Sequence, residues 1–271
     1  MRGAKITKIT ATIMLLFLAL TLVGTAAAYV IDGDLDDWGV HPTNDWYADS
    51  PTAVSVVENW PSGPNPGNNP GIEQCDIEAM YVDEDVNGSY IYFAIITSMP
   101  PEGCDYYSWS RRRTYHLIPG DLALDFDGDG YFEYGVKLTN DSRTVLGDVG
   151  DVFKNPEWEL LDYEVGQCLV SFSNMVNGTK IGEAEIVYKQ YNDWNWDNGA
   201  VNYVIEMKVF KTTFGIYGEG YVDLLATVSC ANDVIEIKKF HYTGIPEFTT
   251  MAVPAGAILG FVYAFRRKRK Y

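Results

Sequence analysis

Apolar positions between residues 29 and 243 recur in short runs that are typical of β-strands. Residues Asp76–Val82 alternate Ile77, Ala79 and Tyr81 with polar partners, and residues 89–97 (SYIYFAIIT) are rich in β-branched and aromatic side chains. Further strands are predicted at Asp121–Phe126, Tyr131–Leu138, Ile181–Tyr188, Val201–Val209, Val222–Ser229 and Val234–Phe240. Gly, Asn, Asp and Pro clusters separate these runs, so the pattern predicts an all-β, antiparallel β-sandwich, with one helical turn at Lys211–Phe214.

The two ends of the chain carry longer apolar runs flanked by basic residues. Ile9–Val23 follows Arg2, Lys5 and Lys8 and precedes Ala26-Ala27-Ala28, the order of a secretory signal peptide, here an N-terminal signal helix over residues 1–28. Met251–Phe265 precedes the basic tail RRKRK (266–270), which is expected to stay in the cytoplasm. The residues between the two runs are therefore predicted to lie outside the cell.

The C-terminal segment carries a short motif just before its apolar run. Pro246-Glu247-Phe248, a Pro-containing apolar stretch and an Arg/Lys cluster follow one another, an order that resembles the PEF-CTERM sorting signal of archaeal surface proteins. The resemblance implies that an archaeosortase cuts near the motif and transfers the protein to a new anchor. The alternative is a permanent C-terminal transmembrane helix. A span needs about 20 apolar residues and this run has 15, which favours processing.

These segments divide the chain into three predicted regions. They are the signal peptide (1–28), an extracellular β-sandwich domain (29–243) and the sorting signal with its transmembrane helix and basic cytoplasmic tail (244–271).

The predicted exported part is strongly acidic. Without residues 1–28 and 251–271, 12 of the 20 basic residues remain against 37 acidic ones, a net charge near −25. A surface of this charge repels nucleic acid and suits a protein that binds cations.

The predicted mature chain opens with an acidic, aromatic motif. Residues 29–38 read YVIDGDLDDW, and an IDG-x-x-DDW opening resembles the start of family 9 carbohydrate-binding modules and related surface proteins. The early hairpin (75–95) and the later strand 203–209 followed by Phe214-Gly215 are similar to that family as well. The resemblance implies a β-sandwich with bound calcium that often recognises sugars. It also singles out Asp32 and Asp37 as possible calcium ligands.

Residues 125–133 (DFDGDGYFE) form the sharpest local motif. Calcium takes six to eight oxygen ligands, and alternating carboxylates in a Gly-bent loop can supply them together with a backbone carbonyl. The start matches an EF-hand loop, but its twelfth position is Val136 instead of Glu, and strands replace the helices. The predicted ligands of a structural calcium ion are Asp125, Asp127, Asp129, Tyr131 and Glu133. The alternative is an acidic hairpin turn without an ion.

Aromatic residues suggest a surface for polysaccharide. An aromatic ring beside Asn and Asp can pack on the C–H face of a sugar while the polar groups bind its hydroxyls. The predicted carbohydrate-binding residues are Tyr191, Trp194 and Trp196, with Trp109 in a second stretch. The alternative is that these rings fill the core.

Four cysteines and three sequons lie in the predicted exported part. An even cysteine count in an oxidising compartment predicts two disulfides. Cys75, Cys104, Cys168 and Cys230 allow three pairings, among which sequence alone does not choose, and the strand pattern favours Cys75–Cys104 with Cys168–Cys230. Predicted N-glycosylation sites are Asn87, Asn140 and Asn177.

The sequence gives little support for catalysis. His41, His116 and His241 have no metal-site or triad spacing, and no nucleophile-elbow, zincin or phosphate-binding motif is present. The predicted function is a calcium-stabilised, anchored surface protein that binds carbohydrate or mediates adhesion without catalysis. A structural envelope protein with no small ligand is the alternative, and a glycoside hydrolase-like enzyme that uses paired carboxylates is a third.

Overall fold

A computed structural model describes residues 29–40, 46–50, 53–57, 76–85, 88–108, 112–140, 146–160, 172–191, 201–229 and 233–245. The predicted signal peptide and the predicted transmembrane helix lie outside these residues. No helix within them is both long enough and apolar enough to cross a membrane. The described chain is antiparallel β-structure with 3₁₀ turns at Asp36–Trp38 and Lys211–Phe214, so the all-β prediction and the predicted helical turn are confirmed.

Thirteen strands are described. In chain order they are β1 Val54–Val57, β2 Ile77–Glu84, β3 Tyr90–Thr97, β4 Cys104–Ser108, β5 Arg113–Leu117, β6 Leu122–Asp125, β7 Tyr134–Val136, β8 Asp151–Leu160, β9 Phe172–Glu183, β10 Glu185–Gln190, β11 Tyr203–Phe210, β12 Gly220–Thr227 and β13 Val234–Tyr242. One sheet has the order β1-β2-β3-β11-β10, and the other has the order β13-β12-β6-β7-β8-β9. Strands β4 and β5 form a separate hairpin.

The main core lies between the two large sheets. Ile91, Phe93 and Ile95 of β3 pack there against residues such as Leu122 and Leu124 of β6. Alternate side chains of a strand point to opposite faces of the sheet, so Tyr92, Ala94 and Ile96 of β3 point to the outer face, where they are also buried. The five-stranded sheet is therefore covered on both faces, which explains why β2 and β3 are buried almost throughout.

The opening segment, residues 29–40, covers that outer face. Its side chains alternate between buried and exposed from Tyr29 to Leu35. The buried set packs against the sheet in a second cluster with Tyr81, Tyr92 and Val204; its members are Tyr29, Ile31, Leu35, Trp38 and Val40. The apolar positions of the opening motif thus form a third layer of the domain.

Several predicted strands differ from those observed. The predicted strand Ile181–Tyr188 is wrong, because β9 ends at Glu183 in one sheet and β10 begins at Glu185 in the other, with Ala184 N donating to Gly150 O (2.7 Å) between them. The pairing of β2 shifts register between Ile77 and Ala79. Ile77 therefore faces the main core, whereas Ala79 and Tyr81 face the opening segment, and the predicted alternation fails there.

The sandwich has two distinct ends. Strands β2, β11 and β13 come to one end, where residues Thr243–Ile245 leave the domain; we call it the exit end. At the far end, Tyr203 of β11 pairs with Thr97 of β3, and Tyr191 N donates to Asn202 O (2.8 Å). The β4–β5 hairpin joins the body at this far end through Gly103 and Ile118, where Ser229 N donates to Ile118 O (2.8 Å).

Candidate metal site

Asp125 organises the acidic loop between β6 and β7. It is the last residue of β6 and is only 2% exposed. Its Oδ1 accepts hydrogen bonds from Asp127 N (3.1 Å) and Gly128 N (2.6 Å), and its Oδ2 accepts one from Gly130 N (2.9 Å). Gly128 and Gly130 have φ of 74° and 88°, a conformation that glycine adopts without steric cost. The D-x-D-G-D-G spacing therefore folds the loop around one buried carboxylate.

Glu133 closes the loop from its other end. Its Oε1 accepts a hydrogen bond from Phe126 N (2.8 Å), whereas Oε2 is buried and has no hydrogen-bond partner. Burial raises the pKa of Glu133, and the charges of Asp125 and Asp127 add to that rise. A buried carboxylate oxygen without a partner is costly, and a bound cation would remove that cost.

The carboxylates of Asp125, Asp127 and Glu133 converge. One oxygen from each lies within 4.8 Å of the others. Calcium–oxygen distances are about 2.3–2.6 Å, so ligands on opposite sides of the ion are separated by about 5 Å at most. The three oxygens therefore fit around one calcium ion without a large rearrangement.

The remaining predicted ligands of this loop lie at its exposed tip. Asp127 Oδ1 accepts a hydrogen bond from Asp129 N (3.2 Å), and Asp129 Oδ1 accepts one from Tyr131 N (2.8 Å). The Tyr131 side chain is 79% exposed. Val136, at the twelfth loop position, is buried in β7, so the sixth and later ligands of an ion would come from backbone carbonyls or water.

Asp32 and Asp37 lie on a different layer of the molecule from the acidic loop. Asp32 Oδ1 accepts a hydrogen bond from Asp34 N (2.8 Å), and Asp37 Oδ2 accepts one from Val30 N (2.7 Å). Burial raises the pKa of Asp37, and the Asp32 charge adds to the rise. Among the described residues, the converging carboxylates are those of the loop alone, so the two opening aspartates are not brought to it.

Glu206 holds the opening segment to the sheet, a role that the sequence did not indicate. It is fully buried in β11. Its Oε2 accepts hydrogen bonds from Asp32 N (3.0 Å) and Gly33 N (2.8 Å), and its Oε1 accepts one from Trp38 Nε1 (2.9 Å). Burial raises the pKa of Glu206, and these hydrogen bonds oppose the rise. Glu206 is the one acidic residue of β11, and nothing in the sequence pattern of that strand indicates that it is buried.

The acidic turn at residues 83–85 also has protein partners. Tyr29 donates a hydrogen bond to Asp83, and Tyr92 Oη donates one to Asp85 Oδ1 (3.1 Å). Glu84 Oε2 lies 2.7 Å from Nζ of Lys211, which is fully buried. The sequence contains no signal for this ion pair, because its two members are 127 positions apart.

The predicted carbohydrate-binding aromatics are only partly described. Tyr191 is half-buried and its ring contacts that of Trp46 edge-on at 6.0 Å. Trp109, Trp194 and Trp196 lie outside the described residues. Trp38 and Trp46 are buried in the second cluster, so these two tryptophans contribute packing.

The described residues cover the predicted disulfides and sequons incompletely. Cys104 begins β4 and packs half-buried against the main core, while Cys75, Cys168 and Cys230 lie outside the described residues. Asn140 and Asn177 are exposed, and Asn87 is outside the described part. The disulfide and glycosylation predictions remain predictions.

Comparison with known proteins identifies one segment. Residues 245–269 match the PEF-CTERM archaeal protein sorting domain. The match confirms the predicted sorting signal and marks the chain as an exported, membrane-anchored cell-surface protein that an archaeosortase processes. No curated protein and no solved structure shows significant similarity to the chain.

Proposed function

We propose that the exported β-sandwich binds one structural calcium ion in the loop 125–133 and presents a carbohydrate-binding or adhesive surface without catalysis. The convergence of Asp125, Asp127 and Glu133 supports the calcium part most directly. Extracellular sites of this kind fill at millimolar calcium. A ligand that binds only the folded state stabilises it by mass action.

The positions of the candidate binding stretches support an outward-facing surface. Tyr191 and Val201, which flank the stretch with Trp194 and Trp196, lie at the far end of the sandwich. The β4–β5 hairpin joins the body at the same end, and Trp109 follows the last residue of β4 in the sequence. A surface there would point away from the anchored end of the chain and would be accessible to polysaccharide in the environment.

A structural envelope protein remains the second candidate. The burial of Trp38 and Trp46 favours it, because those rings pack in the second cluster and do not lie on the surface. The described buried carboxylates of Glu206 and Glu84 likewise have structural partners. A glycoside hydrolase is the third candidate, and it would require two carboxylates facing each other in a cleft.

Calcium binding is tested by thermal and chemical unfolding of the exported chain in detergent, with about 10 mM calcium or with a chelator. Extracellular sites have dissociation constants of about 0.1–1 mM, so saturation should add about 1.4–2.7 kcal/mol to the free energy of unfolding. Glu133→Gln should abolish the calcium effect. Because it removes a charge whose buried Oε2 has no hydrogen-bond partner, it should leave the metal-free protein as stable or more stable. Asp105→Asn, at a 72% exposed site, is the matched control and should retain the calcium effect. A calcium effect that persists in Glu133→Gln would refute the site.

Carbohydrate binding is tested by screening the same protein on a glycan panel. Binding that is lost in Trp194→Ala and Trp196→Ala, while the unfolding midpoint is unchanged, would support the proposed surface. No binding by a protein that calcium still stabilises would favour the envelope protein.

A further inference from the structure

A buried ion pair holds the backbone at the point where the chain leaves the domain. We call its three residues, Glu84, Lys211 and Thr243, the clamp. Thr243 N donates hydrogen bonds to Glu84 Oε1 (2.8 Å) and Oε2 (2.9 Å), and Lys211 Nζ donates one to Thr243 O (3.1 Å). Glu84 and Lys211 form an ion pair in which both side chains are buried (7% and 0% exposed). The position and direction of the backbone at Thr243 are therefore fixed relative to the two sheets.

Little chain separates this clamp from the membrane-directed segment. The sorting domain begins at Ile245, and the apolar run begins at Met251. Residues 244–250 can span at most about 25 Å when fully extended. Gly244 packs closely on the 217–218 backbone, where an added Cβ would lie 2.4 Å from Tyr217 O, so the first part of this tether follows the domain surface. The anchor must hold the exit end near the bilayer.

Exposed aromatic side chains surround the exit. Tyr217 (67% exposed) lies beside Gly244, and Tyr221 (58% exposed) pairs with His241 near the end of β13. Tyr131 (79% exposed) is at the tip of the acidic loop, which emerges at this end because Asp125 pairs with Asp223 of β12. Three of the five exposed tyrosines in the described part of the chain therefore lie at the exit end, and the other two are Tyr47 and Tyr107.

We propose that Tyr131, Tyr217 and Tyr221 form a membrane-facing surface that rests in the lipid headgroup layer while the C-terminal segment holds the chain. Tyrosine is enriched at membrane interfaces because its ring is apolar and its hydroxyl stays hydrated. A short tether raises the effective concentration of lipid at this surface, so weak contacts suffice. The exposed carboxylates of Asp127, Asp129 and Glu219 at the same end would be repelled by anionic lipid, so the partner surface is a zwitterionic one.

The test uses photo-crosslinking in the exported chain, reconstituted through its C-terminal apolar segment into phosphatidylcholine vesicles. p-Benzoylphenylalanine replaces Tyr131, Tyr217 or Tyr221 one at a time, and Val201 (39% exposed) serves as the far-end control. Val201 precedes β11, an eight-residue strand that ends at Phe210 beside the clamp, so it lies about 25 Å away from the exit end. After irradiation, mass spectrometry measures the fraction of protein that carries one lipid.

We expect lipid adducts at Tyr217 and Tyr221 at least fivefold above those at Val201, with Tyr131 also above the control. Equal adduct yields at all positions, or adducts to protein alone at the exit end, would overturn the proposal. Each variant alters an exposed side chain, and an unchanged unfolding midpoint verifies that its fold is intact.

Discussion

Three carboxylates in the described part of this domain differ in the hydrogen bonds that they accept. Glu206 accepts three hydrogen bonds from the opening segment. Asp121 links strands by accepting from Leu138 N (3.0 Å) and Met175 N (2.9 Å). Glu133 instead retains a buried oxygen without a hydrogen-bond partner. Glu206 and Asp121 therefore stabilise the fold through their hydrogen bonds, whereas the unpartnered oxygen of Glu133 is suited to bind a cation.

Replacing Glu206 should show how strongly the opening segment depends on one side chain. Glu206→Ala leaves the buried donors Gly33 N and Trp38 Nε1 without this acceptor, whereas Asp32 N keeps its hydrogen bond to Val30 O (3.0 Å). We expect the substitution to lower the free energy of unfolding by about 2–4 kcal/mol at pH 7. Burial raises the pKa of Glu206 above its ordinary 4.5, so the folded state binds the proton more tightly than the unfolded state. The contribution of Glu206 to stability is therefore complete below pH 4.5 and declines as the pH rises toward the folded-state pKa.

The measurement is denaturant unfolding of both proteins at pH 4.5 and pH 7. The loss caused by Glu206→Ala should be larger at pH 4.5. Glu219→Ala, at an exposed site, is the control and should change stability by about 0.5 kcal/mol or less. A loss of that same small size in Glu206→Ala would contradict the role assigned to Glu206.

Elements are joined at the exit end by the clamp of Lys211, Glu84 and Thr243. Lys211 begins the 3₁₀ turn after β11, Glu84 ends β2 and Thr243 follows β13. The clamp therefore joins three strands of two sheets at the exit end, where the chain continues to its membrane anchor. Removing one member of a buried ion pair leaves the other charge buried and uncompensated.

Lys211→Met keeps most of the side-chain volume and removes the charge. We expect it to lower the free energy of unfolding by about 3–5 kcal/mol, measured by denaturant unfolding. Lys238→Met is the matched control, since Lys238 forms an ion pair with Glu236 while 66% exposed, and such a pair contributes about 0–1 kcal/mol. Similar losses in the two variants would show that the clamp adds no special stability.

At the scale of the molecule, the described residues form a three-layer body in which the opening segment belongs to the fold. Trp38 stacks on Tyr29, with ring centroids 4.0 Å apart, and packs near Tyr81 of β2 at 6.1 Å. These contacts shield a sheet face that would otherwise expose Tyr81, Tyr92 and Ile96. A large apolar patch of this kind would promote aggregation.

Trp38→Ala tests the third layer. We expect it to lower the free energy of unfolding by about 3–5 kcal/mol, the usual cost of truncating a buried aromatic side chain, and to shift the single unfolding transition of the whole domain. Val30→Ala, at a 60% exposed position in the same segment, should be nearly neutral. If Trp38→Ala released the opening segment but left the main unfolding transition unchanged, the opening segment would not be part of the cooperatively folded domain.

The sequence by itself determined the features that depend on local pattern. Strand-forming runs predicted the all-β fold, and the Asp and Gly spacing at 125–133 predicted a loop whose carboxylates converge. The sorting signal was evident because its motif, apolar run and basic tail are contiguous. The strands β1, β4, β5 and β8 were not predicted, and two of them had local reasons. β1 is only four residues long, and β8 contains Asn155-Pro156, with Asn155 at φ 49°, so it resembles a turn.

Only the tertiary structure decided the features that join distant residues. The pairing of Lys211 with Glu84, the burial of Glu206 and the switch of sheets at Ala184 each depend on segments that fold together across more than thirty positions. The same is true of the exit end, where the acidic loop, Tyr217 and the clamp meet. A hydrophobic pattern specifies which side of a strand is buried, but it carries no information about which partner buries it.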